Sequence, residues 1–291
     1  MTAKIISGTS LAEKIRADLK AKATAFETQH GRRVGLAVVL VGDNPASQVY
    51  VNAKIKACAE VGIRSVSHNL PETTGMRDIL ALIDGLNADK SVDGILVQLP
   101  LPKHLDESEI ISRINPQKDV DGFTKLSQHT PCTPLGVIQL IKETGESMVG
   151  KHAVVIGRSN IVGKPLALLL LNEGCTVTIC HSKTVDLKSH TQRADILCVA
   201  VGVRNLVTAD MVKHGAIVID IGINRVDVQQ KVAPFAAFRE TFKSTKLCGD
   251  VDFDGVSKVA GWITPVPGGV GPMTIAMLLD NTISGALKLK K

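Results

Sequence analysis

The stretch from Ala153 to Pro165 constrains the fold of this chain more than any other. It opens with a continuous apolar run, 153–156, of the kind that forms a buried strand. Gly157 interrupts the run, and a second apolar run with helical character extends from Pro165 to Leu171. The order of strand, glycine turn and helix is typical of parallel α/β proteins.

Two glycines and a serine mark this turn. A Rossmann fold binds a dinucleotide pyrophosphate at such a turn, because free backbone N–H groups and the positive helix end face the anion. Gly157 permits a tight turn, and Gly163 permits close packing of helix and strand. Ser159 stands where the usual fingerprint has its second glycine, so the pattern is G-x-S-x-x-x-G. An ordinary strand–turn–helix without a ligand fits that spacing equally well.

The residues after the next predicted strand, 175–180, indicate which dinucleotide would bind. The strand is followed by His181-Ser-Lys-Thr184, about 20 residues beyond the glycines. At this position, proteins that bind the ribose 2′-hydroxyl of NAD carry Asp or Glu. This chain has a hydroxyl and a cation there, and Arg158 lies in the turn itself. Cations and donors bind a 2′-phosphate, whereas a carboxylate repels it. The sequence therefore predicts NADP rather than NAD.

Length and composition exclude several other classes of protein. The 291 residues suggest two domains or one large one, and 44% hydrophobic residues suffice for a sizeable core. The formal net charge of +6 suits a polyanionic small molecule as well as nucleic acid. Aromatic residues make up 3% of the chain, too few for the stacking platforms of single-strand binders. We therefore expect a small-molecule ligand and no nucleic-acid partner.

Signals for membranes, secretion and metals are missing from the sequence. No apolar run reaches membrane-spanning length, and no signal peptide opens the chain. The six cysteines lack C-x-x-C or zinc-like spacing, which predicts reduced core thiols in a cytoplasmic protein. The sequence also lacks G-x-S-x-G, H-E-x-x-H and an acidic cluster, so neither a serine nucleophile nor a metal is expected.

Strands alternate with helices in the first part of the chain, which predicts parallel βαβ units in a domain that ends near Asp121. Ser10 and Ser47 are the predicted N-caps of two helices, which Gly31 and Gly62 end. The predicted strands are 36–41, 63–69 and 94–97, and further helices cover 76–87 and 107–114.

The later part of the sequence predicts a nucleotide-binding domain that starts near Lys151. Thr133 is the predicted cap, and Pro134 the first residue, of a helix in the linking segment. The later predicted elements are strands 196–200 and 216–221, an irregular polar excursion over 224–247, a loop over 264–274 and a last helix over 275–289. This helix is expected to pack back on the first domain. The predicted architecture is two α/β domains with a cleft between them, 1–121 with 275–291 and 122–274, the second with a Rossmann-type parallel sheet.

Tyr50 and Lys54 form the first constellation that could carry chemistry. They stand at i and i+4 of one predicted helix and therefore share a face, whereas Lys56 points elsewhere. Burial beside apolar groups lowers the pKa of a lysine amine, which then serves as an acid or base near neutral pH. A surface lysine whose stem covers the tyrosine ring is the alternative that the spacing alone favours.

Polar residues also follow a strand and a turn of the first domain. Gln98 ends a strand, where ligands of open α/β sheets bind, and can hydrogen-bond a substrate amide or hold a lysine; a residue facing water is the alternative. Asp119 and Asp121 alternate in an extended segment, so only one can face a given pocket. A carboxylate can accept parallel N–H bonds from an amino-heterocycle, although a turn acid before glycine is equally common.

The loop from Pro265 to Thr274 carries six glycines and prolines, more than a plain turn needs. A rigid loop that ends at a helix N-terminus can lie against a cofactor.

Six motifs then identify a family. The chain contains, in order, Tyr50-Val-Asn-Ala-Lys54, Asp93-Gly-Ile-Leu-Val-Gln-Leu-Pro-Leu-Pro102, Lys118-Asp-Val-Asp-Gly122, Pro131-Cys-Thr-Pro134, Gly157-Arg-Ser-Asn-Ile-Val-Gly-Lys-Pro165 and Pro265-Val-Pro-Gly-Gly-Val-Gly-Pro-Met-Thr274. Together they resemble the bifunctional methylenetetrahydrofolate dehydrogenase/methenyltetrahydrofolate cyclohydrolase family, often called FolD. The resemblance covers nearly the whole chain.

The resemblance implies two linked reactions and a role for each site residue. Hydride passes from 5,10-methylenetetrahydrofolate to NADP+, and water then opens the methenyl product to 10-formyltetrahydrofolate. By the resemblance, Lys54 is the essential catalytic group of the hydrolytic step and Gln98 tunes it. Tyr50 stacks on the aminobenzoate of folate, Asp121 anchors the pterin, and Pro272 belongs to a loop over the cleft. The matching cofactor contacts are Gly157, Arg158, Ser159, Ser182 and Ile223.

The resemblance further implies a cytoplasmic homodimer, formed through the nucleotide domain. Its substrates are tetrahydrofolate derivatives, and its place is in one-carbon metabolism and purine biosynthesis. Hydride transfer needs orientation of the methylene carbon more than a strong base, whereas the hydration needs a proton shuttle near neutral pH.

Two segments depart from the family pattern. The loop 123–130 is several residues shorter than usual, and 226–247 is longer. The short loop leaves open a dehydrogenase of the same fold with weak or absent cyclohydrolase activity. A non-catalytic dinucleotide sensor is the third hypothesis, but it gives no purpose to the set Tyr50, Lys54, Gln98 and Asp121.

Overall fold

The computed structural model describes residues 2–229 and 243–289. The chain divides into two compact units. Unit 1 comprises Met1–Gly8 and Gln139–Gly271, and unit 2 comprises Thr9–Ile138 and Pro272–Lys291.

The strands and helices are numbered in chain order. The strands are β1 (Lys4–Ile5), β2 (Gly35–Val41), β3 (Arg64–Leu70), β4 (Gly94–Val97), β5 (His152–Ile156), β6 (Thr176–Cys180), β7 (Ile196–Val199), β8 (Ile217–Asp220), β9 (Asn224–Gln229), β10 (Lys243–Cys248) and β11 (Trp262–Ile263). The helices are α1 (Gly8–His30), α2 (Pro45–Val61), α3 (Met76–Ala88), α4 (Glu107–Ser112), α5 (Cys132–Glu143), α6 (Gly163–Asn172), α7 (Leu187–Thr191), α8 (Phe253–Val256) and α9 (Val270–Lys288), with a 3-10 turn at Ala209–Met211.

The described part of unit 2 holds a parallel sheet in the order β3-β2-β4. Every residue of β2 and β4 is buried, which suits strands that are covered on both faces. The edge strand β3 is partly exposed along its length. Val39 of β2 pairs with Val97 of β4, so Gln98 emerges at the carboxyl end of the sheet, as predicted. The βαβ interpretation of the first domain is confirmed.

Helix α2, which carries Lys54, begins differently from the prediction. The side chain of Asn44 accepts hydrogen bonds from the backbone N–H groups of Ala46 and Ser47, at 2.9 and 3.2 Å, and Pro45 is the first helical residue. Ser47 is therefore not the cap, because an asparagine followed by proline forms a stronger start three residues earlier. Gly62 ends the helix at φ 91°, as predicted.

Three other helices begin earlier than predicted. Helix α1 starts at Gly8, so Ser10 lies in its first turn and is not the N-cap. Helix α5 starts at Cys132 and α9 at Val270, so Pro134 and Pro272 are the third residue of their helices. The first turn tolerates proline because its N–H groups have no acceptor within the helix.

The described part of unit 1 holds a six-stranded sheet in the order β1-β11-β8-β7-β5-β6, and all its pairs are parallel. From β5 the chain first moves outward to β6 and then returns to β7 on the other side. The order therefore reverses between β5 and β7, which is where doubly wound folds bind nucleotides. The prediction of two α/β domains, one of Rossmann type, is confirmed.

The ends of the chain cross the predicted domain boundaries. Lys4–Ile5 pairs with Trp262–Ile263, so the first eight residues belong to unit 1 and not with 9–121. Helix α9 packs within unit 2, where Asn281 donates to the carbonyls of Val120 and Thr130, both at 2.9 Å. The last helix thus does pack on the first domain, as expected.

The segment predicted as an irregular excursion contains regular structure. Strands β9 and β10 form an antiparallel pair, with Asn224 opposite Cys248 and Gln229 opposite Lys243. The expectation of irregular structure was wrong for these strands, because polar strands at a surface lack the apolar alternation on which it relied. Residues 230–242 lie outside the described part of the chain.

Two bulk features complete the fold. All six cysteines are unpaired, and five of them are buried. No helix in residues 2–229 and 243–289 is long and apolar enough to cross a bilayer.

Candidate active site

Lys54 and Gln98 form a hydrogen-bonded pair in unit 2. The lysine is 7% exposed, and its Nζ donates to Oε1 of Gln98 at 3.0 Å. The amide nitrogen of Gln98 donates to the carbonyl of Leu99 at 2.7 Å, which fixes the amide with its oxygen toward the lysine. The backbone N–H of Gln98 is held by Val39 at 2.8 Å. The alternative of a surface lysine is therefore wrong, and Gln98 holds the amine as predicted.

Acidic and thiol groups surround this amine. Burial raises the pKa of the Asp121 carboxyl, and the positive charge of Lys54 partly offsets the rise. Burial also raises the pKa of the Cys132 thiol well above its usual value, and the nearby carboxyl of Asp121 adds to the rise. Burial raises the pKa of Cys58 to about 12, with Lys54 again opposing it. The amine thus faces a carboxyl group and neutral thiols in a weakly solvated site.

The two aspartates of the extended segment have separate surroundings, as the alternation predicts. Asp119 is buried, and its carboxylate accepts from the backbone N–H groups of Gly122 and Thr124, at 3.1 and 2.7 Å. It is therefore a turn acid that shapes the loop after it. Asp121 is partly buried and interacts with Lys54 and the Cys132 thiol instead. The site carboxyl is the second of the pair.

Tyr50 and Pro272 lie in the same unit. Tyr50 stands one turn before Lys54 on α2 and is partly buried, whereas Lys56 is exposed on another face, as predicted. Pro272 is partly buried in the first turn of α9. Two residues later, the hydroxyl of Thr274 is 3.0 Å from that of Thr133, which links the beginnings of α9 and α5.

The glycines of the turn after β5 have the structural roles that the sequence predicts. Gly157 has φ 123°, and a Cβ there would lie 2.3 Å from the carbonyl oxygen of Ala200. A Cβ on Gly163, the first residue of α6, would lie 2.2 Å from the carbonyl oxygen of Gly157. Both contacts are far closer than a methyl group allows. The turn therefore needs glycine at each position.

Ser159 orients the start of α6. Its hydroxyl oxygen accepts from the backbone N–H groups of Val162 and Gly163, both at 3.2 Å. Both lone pairs of the oxygen are then occupied, so the hydroxyl proton remains as a donor for another group. A serine in place of the second glycine thus adds a hydroxyl donor at the turn, next to the positive end of the helix.

The cations expected for a 2′-phosphate lie at the same edge of the sheet. Ile156 pairs with Cys180, so the turns after β5 and β6 begin side by side. The hydroxyl of Thr184 accepts from the His181 N–H at 2.9 Å and closes the second turn. Ser182, Lys183 and Arg158 are exposed. Among the described residues, no hydrogen bond or ion pair holds the Arg158 guanidinium.

Ile223 follows β8 and is 45% exposed. It lies beyond the carboxyl end of its strand, as the turns after β5 and β6 do. The five predicted cofactor residues therefore share one edge of the sheet in unit 1, and the four side chains predicted for folate and catalysis, with Pro272, lie in unit 2. Among the described residues, no three His, Cys, Asp or Glu side chains converge as metal ligands would.

Sequence reasoning missed several residues near these sites. Cys132 stood in a quoted motif without a role, and Asn281, which donates to the loop around Val120, was not considered. Asp220 and Asp250 were also missed. The signal that could have found Asp220 is an acidic residue that ends an apolar strand, whereas Asp250 follows a polar strand and a glycine and carries no such signal.

Family models match both halves of the chain. Residues 6–121 match the catalytic domain, and residues 131–290 the NAD(P)-binding domain, of tetrahydrofolate dehydrogenase/cyclohydrolase. The chain belongs to this family. The tetrahydrofolate dehydrogenase/cyclohydrolase assignment confirms the resemblance drawn from the six motifs.

Individual members of the family are similar over their whole length. The chain is 53% identical to the bifunctional protein FolD of Paracidovorax citrulli, over 98% of each chain. It is 48% identical to the bifunctional FolD structure from Campylobacter jejuni, with a TM-score of 0.90 over 99% of each chain. It is 36% identical to the Trypanosoma brucei dehydrogenase-cyclohydrolase, solved with NADP cofactor and inhibitor, with a TM-score of 0.92 over 100% of this chain and 99% of that one.

We expect Gly163→Ala to lower the free energy of unfolding by about 1–3 kcal/mol, because the added methyl overlaps a backbone oxygen. Chemical denaturation measures the change. Gly85→Ala is the matched control, since nothing lies within 4 Å of an added Cβ there. In helix α3 that control should be neutral or stabilise by up to about 1 kcal/mol. Equal stability of the Gly163 variant and the wild type would contradict the close packing.

Proposed function

We propose that this chain oxidises 5,10-methylenetetrahydrofolate to 5,10-methenyltetrahydrofolate with NADP+ and hydrolyses that product to 10-formyltetrahydrofolate. The observation that carries the proposal is the buried Lys54 amine held by Gln98, in the unit that contains the catalytic-domain match. The oxidation with NADP+ is further supported by the glycine turn after β5, which lies in the part of the chain that matches the NAD(P)-binding domain.

The residues of unit 1 fit NADP. Ser159 offers a hydroxyl donor at the positive end of α6, and Gly157 permits the tight turn that brings this end of the helix to the edge of the sheet. Arg158 and Lys183 are exposed cations, and the turn 181–184 contains no carboxylate that would repel a 2′-phosphate. We assign Gly157, Arg158, Ser159, Ser182 and Ile223 to cofactor binding.

The oxidation requires little chemistry from the protein. Bound NADP+ would accept the hydride, that is, the hydrogen together with both electrons of its bond to the methylene carbon. The remaining cation is shared with the two flanking folate nitrogens, so no protein base has to remove a proton. The protein contributes binding and orientation of the carbon that loses the hydride. We assign this purpose to Tyr50, with its ring against the aminobenzoate, and to Asp121, with its carboxyl at the pterin; we also assign Pro272, at the start of α9, to substrate binding.

The hydrolysis requires proton transfers. The oxygen of water bonds to the methenyl carbon and gives up one proton. The resulting hydroxyl then gives up its second proton and becomes the formyl C=O as the bond from that carbon to N5 breaks. N5 keeps the electron pair and takes up a proton, so one proton is released overall. We assign these proton transfers to Lys54; the assignment is supported by its amine, for which Gln98 is the one hydrogen-bond acceptor among the described residues. The weakly solvated surroundings keep bulk water from competing.

Both alternatives find less support. A dehydrogenase without hydrolysis would not need the amine–amide pair, and the relatives named above are bifunctional. A dinucleotide sensor would need neither the pair nor a second unit that matches a catalytic-domain model.

Lys54→Met should abolish enzyme-dependent hydrolysis, a loss of at least about 100-fold, because the proton-transfer group is removed. The measurement is the disappearance of methenyltetrahydrofolate absorbance without NADP+, corrected for the spontaneous rate. Lys56→Met is the matched control on the same helix, since that side chain is exposed. The role of Lys54 is disproved by full hydrolysis in its variant, and the dehydrogenase-only alternative is supported if the wild type hydrolyses no faster than buffer.

NADP+ should support faster oxidation than NAD+ under equal conditions, because Arg158 and Lys183 can bind the 2′-phosphate. Arg158→Gln should reduce this preference by about tenfold, the worth of one charge-assisted hydrogen bond. The ratio of the two kcat/KM values measures it. Arg193→Gln, a change at an exposed arginine between α7 and β7, should leave the ratio unchanged. Better turnover with NAD+ in the wild type would refute the assignment of the cations.

We also propose a homodimer that forms through unit 1. Strand β6 is an edge strand of the six-stranded sheet, and its Ile179 is exposed. Leu168 and Leu171 of α6 are exposed as well. An apolar edge strand is a template for pairing unless another chain covers it.

Light scattering at micromolar concentration should give the mass of a dimer. Ile179→Lys should shift the mass toward the monomer, since a charge on the apolar edge opposes burial. Leu126→Lys is the control, because that exposed leucine lies in unit 2. A monomeric wild type would exclude the dimer.

The reactions place the protein in one-carbon metabolism, and its formylated product suits purine biosynthesis. We place it in the cytoplasm, where thiols such as its free cysteines stay reduced. Its partners are tetrahydrofolate derivatives rather than nucleic acid.

A further inference from the structure

Two buried carboxylates in unit 1 take no part in the reactions above. Asp220 is the last residue of β8 and is 4% exposed. Asp250 follows β10 and is 0% exposed. A buried carboxylate is costly unless hydrogen bonds satisfy it, so each must be held in place by donors.

Asp220 binds the backbone on both sides of the strand pair β9–β10. Its carboxylate accepts N–H bonds from Gly222, Asp250 and Val251, each at 3.0 Å. Burial raises the pKa of this carboxyl to about 6, and the charge of Asp250 adds to the rise. The N–H bonds oppose that rise, because they stabilise the charged form.

Asp250 in turn binds the loops that follow two strands of the sheet. Its Oδ2 accepts from the N–H groups of Val201 and Gly202, at 2.8 and 2.9 Å, just after β7. Its Oδ1 accepts from the side-chain amide of Asn224 at 2.9 Å, just after Ile223. One carboxylate thus ties the loop after β7 to the loop after β8.

These loops border the dinucleotide turn. Ala200, one residue before Val201, presents the carbonyl oxygen against which Gly157 packs. Ile223 lies between Gly222, which Asp220 holds, and Asn224, which Asp250 holds. The aspartates are themselves buried, and they hold the backbone next to Ala200 and on both sides of the exposed Ile223.

We propose that Asp250, supported by Asp220, is a positioning residue of the cofactor site: it holds the loops after β7 and β8 in the arrangement that binds NADP. The proposal rests on the proposed function of unit 1. A carboxylate satisfies all three donors at once, because Oδ2 accepts from two consecutive N–H groups while Oδ1 accepts from the Asn224 amide. An asparagine at 250 would have to turn an NH2 group toward one of these donors.

The test is Asp250→Asn in the full-length protein. We expect KM for NADP+ to rise by about tenfold or more, as displaced binding loops do. Hydrolysis of methenyltetrahydrofolate, measured without NADP+, should stay within about twofold of the wild type, because Lys54 and Gln98 lie in unit 2. Asp254→Asn is the control, an exposed aspartate in α8 with the same change of charge.

Asn224→Ala is the milder companion variant. It removes one donor to Asp250 and leaves the buried carboxylates in place, so we expect KM for NADP+ to rise by about threefold, with hydrolysis retained. If Asp250→Asn does not fold, this variant carries the test by itself.

Unchanged KM for NADP+ in the folded variants would overturn the proposal. So would an equal loss of oxidation and hydrolysis in Asn224→Ala, since a merely structural role predicts a common loss. A wild-type protein that hydrolyses methenyltetrahydrofolate but fails to use NADP+ would instead refute the proposed function of unit 1.

Discussion

Burial of a lysine amine is the constraint on which the catalytic unit depends. An amine removed from water needs an acceptor, and Gln98 supplies one because β4 ends there and its own amide is pinned by Leu99. Helix α2, which carries this lysine, is capped by Asn44 at its start and by Gly62 at its end. Burial raises the pKa of the nearby Asp121 carboxyl, and the positive charge of Lys54 partly offsets that rise.

The nucleotide unit depends on a different requirement, which is the close approach of backbone segments. Gly157 and Gly163 bring two backbone segments so close that no side chain fits between them. Ser159 then satisfies the N–H groups that the tight turn leaves unpaired. Asp220 and Asp250 hold the loops around the turn in place through six hydrogen-bond donors. Without these donors the burial of the two carboxylates would be unfavourable.

Features that have a local signal in the sequence could be predicted from it. The strand 94–97 was predicted to the residue, and the packing roles of Gly157 and Gly163 follow from the turn itself. Helix starts were less reliable: Ser10, Ser47 and Thr133 are good caps, but neighbouring residues compete for that position. Asn44 rather than Ser47 is the N-cap of α2, because the fixed φ of Pro45 suits the first helical position.

The sequence by itself determined the parallel α/β class, the glycine turn, the shared face of Tyr50 and Lys54, and the family. These depend on periodicity, spacing and motifs, which are properties of neighbouring residues. Only the tertiary structure decided that Lys54 meets Gln98, that β1 pairs with β11, and that Asp250 joins two loops. Each of these links residues far apart in the chain, and the free energy of such a contact comes from burial that no local pattern records.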